Sequence, residues 1–249
     1  MLASKENQRV PSVVFKCIEN GKLTDIPSDA IFRHKTVVLF ALPGAYTPTC
    51  SARHVPRFNE LAATFKANGV DEIVCLAVND AYVMQAWREK QNADNIRFIA
   101  DGNGEFTAAM GMLVDKSALG FGKRSWRYAM LVKNAMIEKM FIESDLPGDP
   151  FAVSDADTML NYINPQAKKP ARVSIFTQAG CSYCANAKRL LSEHGLNYEE
   201  IVVGRDVSHQ ALFAITGMQT VPQVFIDAQH IGTSEDLAAY LIASKASAA

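Results

Sequence analysis

No uninterrupted apolar run in the 249-residue chain approaches the roughly 20 residues that a membrane-spanning helix needs, which argues against a membrane protein. Runs of lysine or arginine are also missing. With 25 basic and 26 acidic residues the net charge is −1, so nucleic acid and anionic membrane surfaces are poor partners and small diffusible substrates fit better. The opening stretch Met1 to Asn7 lacks the apolar core of a secretory signal, so a cytoplasmic protein is expected. Cysteine is scarce: Cys17, Cys50, Cys75, Cys181 and Cys184 are an odd number spread over the whole length, which excludes a disulfide framework. In a reducing compartment such a set points to reactive thiols. The sequence shows neither an internal repeat nor a low-complexity tract. Its length fits two domains, each able to bury a core without staples.

The pattern along the chain divides at Asn164 to Pro170, a polar segment bracketed by two prolines. The expected organisation is a domain over 1–163, a linker over 164–170 and a second domain over 171–249. In the first part, short β-rich runs (Val37 to Leu42, Ile73 to Val78, Ile96 to Ile99) alternate with helical patterns at Ser51 to Asn68 and Ala81 to Gln91. Arg127 to Val132 and Met136 to Ile142 flank a polar turn and read as an antiparallel hairpin. A further amphipathic helix runs from Ser154 to Ile163. After the linker the order reads β-α-β-α-β-β-α, with strands at Val173 to Thr177, Tyr198 to Val203 and Gln223 to Asp227. Helices are expected at Cys184 to His194, Ser208 to Thr216 and Ser234 to Ser244. The class is α/β in both parts.

Two places carry chemistry. Cys50 falls in the first turn of the helix after Val37 to Leu42, where unpaired backbone N–H groups and the helix dipole favour a thiolate. Thr47 lies three residues earlier and can turn a hydroxyl toward the sulfur or a bound oxygen, while Pro43 and Pro48 stiffen the approach. A reaction that releases an anion from an attacked oxygen also needs a cation. Arg127 is the candidate because it opens an otherwise apolar strand, with Lys123 and Arg124 as alternatives. His54, one helical turn after Cys50, reads as a polar or capping residue on the helix surface, with tuning of the thiolate as the alternative, and Pro56 is expected to kink that helix. Cys17 and Cys75 both lie in strand-like runs and read as structural.

The run Pro43-Gly-Ala-Tyr-Thr47-Pro-Thr-Cys50-Ser, with Asp101 to Phe106 and Arg127 to Val132, resembles the peroxiredoxins, and the peroxiredoxin-5 group in particular, over about residues 8–163. That resemblance implies a thioredoxin-like fold and an attack of Cys50 on peroxide that leaves a sulfenic acid. Members of the group often carry a resolving cysteine late in the domain. Here nothing between Cys75 and Cys181 can serve.

Cys181-Ser-Tyr-Cys184, between a strand and a helix, reads as a redox pair, with Cys181 exposed at the helix start and Cys184 turned inward. Zinc is the competitor, but no second Cys-x-x-Cys or histidine pair accompanies it, and no metal is expected. Together with Thr220-Val221-Pro222 and Gly232-Thr-Ser234-Glu235-Asp236, this motif resembles a glutaredoxin over about residues 171–245, a second thioredoxin-like fold. The resemblance implies a cis proline at Pro222. It also implies a glutathione site in which Thr220, Val221 and Pro222 hold the cysteinyl backbone, Gly232, Ser234, Glu235 and Asp236 meet the γ-glutamyl end, and Tyr183 lines the site. Helix capping is the competing reading of Ser234 to Asp236. Ser182 stands where proline is commoner, and Gln178 replaces a usual lysine, a loss that an amidated glutathione would feel less.

The expected activity is reduction of hydrogen peroxide and alkyl hydroperoxides by Cys50, with glutathione as reducing co-substrate, Cys181 as its relay and no permanently bound cofactor. Cys184 would only tune the relay. The alternatives are a mixed-disulfide reductase with a sensing first domain and a non-enzymatic scaffold. The resemblance further implies a dimer or larger homo-oligomer. A short linker then suggests that the second domain serves Cys50 of a neighbouring copy.

Overall fold

The structure, a computed structural model, describes residues 2–19, 21–146 and 148–246. It divides into two compact units, one ending at Lys169 and the other beginning at Pro170. No described helix is long and apolar enough to cross a membrane.

The first unit opens with an antiparallel hairpin, β1 (Val14–Glu19) and β2 (Lys22–Pro27), followed by α1 (Ser28–Phe32) and β3 (Thr36–Ala41). A helical stretch then runs through a π-turn at Cys50–His54 into α2 (Val55–Glu60) and α3 (Ala62–Ala67). Next come β4 (Glu72–Ala77), α4 (Ala81–Lys90), β5 (Arg97–Ala100) and α5 (Glu105–Ala109). The unit closes with a small hairpin of β6 (Leu113–Asp115) and β7 (Lys123–Ser125), a long one of β8 (Tyr128–Lys133) and β9 (Met136–Ile142), and α6 (Ala156–Ile163). The main sheet has the order β5-β4-β3-β8-β9, parallel on the β4 side of β3 and antiparallel on the β8 side.

The continuous apolar run of β3 has a plain cause, since the sheet is covered on both faces. Val38 and Phe40 enter one core with Cys50, Phe58 and Trp87, while Val37, Leu39 and Ala41 enter the other with Phe15, Phe32 and Met130. The β8–β9 turn uses Asn134 and Ala135, both at positive φ (48° and 63°), the geometry that a two-residue hairpin demands.

The second unit consists of β10 (Val173–Thr177), α7 (Ser182–Glu193), β11 (Tyr198–Val202), α8 (His209–Thr216), β12 (Gln223–Ile226), β13 (Gln229–Gly232) and α9 (Ser234–Ala246). Its sheet order is β11-β10-β12-β13. Here β10 plays the part of β3, parallel to β11 and antiparallel to β12. In both units the candidate cysteine lies in the stretch after that strand, at the opening of a helix, which is the thioredoxin-like arrangement.

The polar segment after α6 is fastened to the first unit for most of its length. Asn164 Nδ2 donates to Asn68 Oδ1 at 2.8 Å, Ala167 packs against the first core, and Lys169 Nζ lies 2.9 Å from Asp157 Oδ1.

Candidate active site

From the end of β3 the chain turns through Pro43 to Tyr46 before the helix starts at Pro48. Thr47 Oγ1 donates back to Gly44 O at 2.9 Å, and Ala45 N donates to Asn79 Oδ1 at 3.0 Å. The loop is packed too closely for a side chain at position 44: a Cβ there would sit 3.3 Å from Asn79 Oδ1 and 3.5 Å from Arg124 Nη1. Arg124 Nη1 donates to Val78 O and its Nε to Phe121 O, so this cation ties those two backbone segments together and makes no hydrogen bond to the thiol among the described residues.

Cys50 lies in the first turn, fully buried. The turn that follows is wider than an α-turn, with Val55 N–H reaching Cys50 O. Pro56 has no N–H to close an ordinary turn, and the wider one ahead of it leaves Pro56 near the start of α2, where a missing donor is tolerated. The kink expected at Pro56 is thus replaced by a π-turn, and the helix breaks later, at Leu61 (φ −84°, ψ 2°).

Antiparallel pairing sets Tyr128 opposite Ala41, so Arg127, the residue before β8, emerges where the loop to Cys50 begins. Its Nη1 donates to Cys50 Sγ at 3.4 Å and to His54 Nδ1 at 3.0 Å, its Nη2 pairs with Asp149 Oδ1 at 2.5 Å, and its Nε has no partner among the described residues. Burial works against this guanidinium, but the neighbouring Cys50 sulfur and the Asp149 carboxylate outweigh it and hold its pKa above the usual value.

His54 departs from expectation: it is fully buried, not on the helix surface. Its ring lies 4.8 Å from the rings of Phe40 and Phe151 and 5.5 Å from Phe58. Nε2 is 3.0 Å from Ser154 O, and a carbonyl only accepts, so Nε2 carries the hydrogen and Nδ1 is left to accept from Arg127. Burial first, and the Arg127 charge second, push the His54 pKa down to about 3. The imidazole is therefore neutral and acts as an acceptor that orients Arg127, not as a base for the thiol.

Several further groups gave no sequence signal. Asp149 pairs with Arg127, Phe151 lies under the guanidinium groups of Arg53 and Arg127 at 4.9 and 5.5 Å, and Glu143 holds the segment that carries them. Trp87 Nε1 donates to Ser51 Oγ at 3.1 Å, next to Cys50. Cys75 lies on the same core face as Cys50; burial, then Cys50 itself, drives its thiol well above the ordinary range. Cys17 is likewise buried, with its pKa raised by desolvation.

In the second unit Cys181 caps α7 and is half-exposed, while Cys184 is buried one turn on. Helix α7 begins at Ser182, two residues before the expected start, because Cys181 Sγ takes the cap position and accepts from Cys184 N at 3.1 Å. The two cysteines are joined as a disulfide, their Cα atoms 5.3 Å apart. The Val221–Pro222 bond is cis, and Val221 O lies 3.8 Å from Cys181 Sγ. Thr220, Tyr183 and Glu235 are exposed, and Pro222 and Ser234 are buried. Gly232 has φ +116°, and a Cβ there would sit 2.5 Å from Asp236 Oδ2. That oxygen accepts from Thr233 N at 2.8 Å and Thr233 Oγ1 at 2.7 Å, which holds the Asp236 carboxyl below its usual range and engages it in capping α9. A cleft of about 470 Å³ also borders the dithiol, lined by residues such as Gln178, Cys181, Lys188, Glu200 and Arg205. The Thr220 to Pro222 and Gly232 to Asp236 groups lie outside it. Among the described residues no cluster of three or more His, Cys, Asp or Glu could hold a metal ion.

Comparison with known proteins agrees with both halves. Residues 5–160 match the Redoxin family model and residues 173–231 the Glutaredoxin model. Over 239 residues the chain is 55% identical to the hybrid peroxiredoxin hyPrx5 of Haemophilus influenzae, covering 96% of this chain and 99% of that one. Over 185 residues it is 50% identical to peroxiredoxin sll1621 of Synechocystis, covering 68% and 98%. Among solved structures, reduced Prx3 from Vibrio vulnificus in complex with hydrogen peroxide matches with a TM-score of 0.61 at 40% identity, covering 65% of this chain and 99% of that one.

Proposed function

Because the chain belongs to the redoxin family, as a peroxiredoxin carrying a glutaredoxin domain, we propose that it is a thiol peroxidase fed by glutathione through its own second unit. The observation that carries the first step is the arrangement of Cys50, Arg127 and His54. Arg127 donates to the sulfur with one nitrogen, is oriented by neutral His54, and keeps a buried Nε unpartnered for a peroxide oxygen. The Cys50 thiolate attacks one peroxide oxygen and the O–O bond breaks. Sulfur is oxidised to sulfenic acid, and the departing oxygen, its charge met by Arg127, takes a proton and leaves as water or alcohol. Pro43 and Thr47 shape the approach, and the Thr47 hydroxyl can turn from Gly44 O to the substrate.

The second step rests on the supply of thiols. Besides Cys50, the first unit has only Cys17 and Cys75, both buried in strands. Glutathione therefore condenses with the sulfenic acid, releasing water and leaving a Cys50–glutathione disulfide. With the Cys181–Cys184 pair first reduced by glutathione, the Cys181 thiolate takes over the glutathionyl group, freeing the Cys50 thiolate, and a further glutathione releases it from Cys181 as glutathione disulfide. Cys181 suits the task as a half-exposed helix cap, with Tyr183, Thr220, Val221 and Pro222 around it to hold the tripeptide. Gly232, Ser234, Glu235 and Asp236 approach its γ-glutamyl end. Ser234 and Asp236 contribute there mainly by setting the α9 terminus, since one is buried and the other engaged with Thr233. The protein works as a dimer or tetramer in which one copy's second unit serves the Cys50 of another.

The test is peroxide-dependent NADPH oxidation coupled through glutathione and glutathione reductase. Wild type is expected to turn over, and Cys50→Ser and Cys181→Ser to lose the activity; an unchanged rate in either variant rejects the route. Mixing the two variants should restore activity if service is between copies, and no recovery in the mixed oligomer rejects that part.

A further inference from the structure

The strap at 149–154, between β9 and α6, has no regular structure, yet it supplies three of the groups around Cys50. Asp149 pairs with Arg127, the Phe151 ring lies 5.5 Å from the Arg127 guanidinium and 4.8 Å from the His54 ring, and Ser154 O fixes the His54 tautomer. An irregular segment keeps such positions only if something other than helix or sheet bonds sets its path.

Glu143, 3% exposed, does so. Its Oε1 accepts from Ala152 N (2.9 Å), Val153 N (2.9 Å), Ser154 N (2.8 Å) and Ser154 Oγ (2.8 Å), and its Oε2 also accepts from Ala152 N at 3.0 Å. Burial raises the pKa of this carboxyl, but the donors from Ser154, Val153 and Ala152 more than reverse that, and it is held below the usual value. The main chain of the same residue is tied to the other side of the site. Its N–H donates to Arg127 O at 3.1 Å, and its carbonyl accepts from Trp126 Nε1 at 3.0 Å. One residue thus joins the backbone of Arg127 to the strap that meets the Arg127 side chain and the His54 ring.

We propose that Glu143 is a positioning residue for Arg127, acting through the strap it holds, and that without its carboxyl group the guanidinium loses its aim at Cys50. This rests on the reading of Arg127 as the cation of peroxide reduction. An amide oxygen placed at Oε1 keeps the four bonds made to that atom, and the amide nitrogen at Oε2 gives up only the second contact with Ala152 N; Glu143→Gln therefore keeps most of the strap's hold and Glu143→Ala frees it.

The experiment follows Cys50 oxidation by hydrogen peroxide in the reduced full-length chain, by rapid quench and alkylation. Glu143→Gln should stay within about twofold of wild type and Glu143→Ala should fall about tenfold or more, as small misplacements at a reacting centre do. In an Arg127→Ala background, Glu143→Ala should add no further loss, because it acts only through that arginine. Reduction of a small glutathionylated disulfide by Cys181, in the other unit, should be unchanged throughout. If Glu143→Ala does not fold, Ser154→Ala replaces it, with a loss of about threefold expected alone and none beside Arg127→Ala. A wild-type rate for the variant, or an equal further loss on top of Arg127→Ala, overturns the proposal while the reading stands. A wild-type rate for Arg127→Ala itself overturns the reading, and the proposal with it.

Discussion

Acidification should weaken the first unit through His54, by an amount that follows from where the ring sits. In the folded chain its pKa is pushed down to about 3, whereas in the unfolded chain an ordinary value of about 6.5 applies. Between those values the unfolded state binds a proton that the folded state refuses, so stability is lost as pH falls through about 6.5 and goes on falling toward about 3. Each unit of pH in that window removes about 1.4 kcal/mol, so the step from about pH 7 to about pH 5 removes roughly 2 kcal/mol. That is a sizeable part of the 5–15 kcal/mol, roughly, that holds a typical domain together. The measurement is urea unfolding followed by tryptophan fluorescence. Trp87 and Trp126 are the only tryptophans and both lie in the first unit, so the signal reports that unit alone. His54→Gln should start less stable near neutrality, having lost a buried contact, but should show a pH dependence shallower by roughly 2 kcal/mol over the same step. Other titrating groups are common to both chains and cancel. Equal pH dependence in wild type and variant would refute the reasoning, because it would mean that His54 is protonated as readily folded as unfolded.

Cys184→Ser should keep at least about half of the glutathione-linked peroxide consumption and lose the intradomain disulfide, as counted by alkylation, if Cys181 is the attacking thiol as proposed; complete loss would show that both thiols are needed. Gly232→Ala should destabilise the second unit by about 1–3 kcal/mol, because its φ is +116° and the new Cβ would meet Asp236 Oδ2. That loss is read by thermal unfolding, with Cys50 oxidation by peroxide unaffected, and an unshifted transition would contradict the packing described for Gly232.

What the sequence disclosed depended on how local the cause was. The strand Val173–Thr177 was readable to the residue, and the apolar run of β3 announced a strand covered on both faces. Pro43, Thr47 and Cys50 share one loop and one helical turn, so their grouping was legible, and Arg127, a cation opening an apolar strand, lies beside Cys50. The hairpin partner β2 was not readable, because Lys22 to Pro27 is mostly exposed and polar and buries only Ile26. The spacing of four from Cys50 places His54 on the buried side of the helix, and only its polarity argued for the surface. The groups that satisfy its two ring nitrogens come from Arg127 and Ser154, far along the chain, and no local pattern encodes them. Glu143 escaped notice for a related reason, since its partners are backbone amides, which every residue type presents alike.

The fastening of residues 164–169 to the first unit alters what the connection between the units is. The hold on the segment depends partly on an ion pair, Lys169 with Asp157, which also holds Arg57. High salt screens such a surface pair, and acid removes it only below the ordinary carboxylate range, because Arg57 first and Lys169 next depress the Asp157 pKa. Release would free about six residues, on the order of 20 Å of chain when extended. Ionic strength is therefore a lever on the segment at 164–169 that leaves every atom at Cys50 and Cys181 where it was.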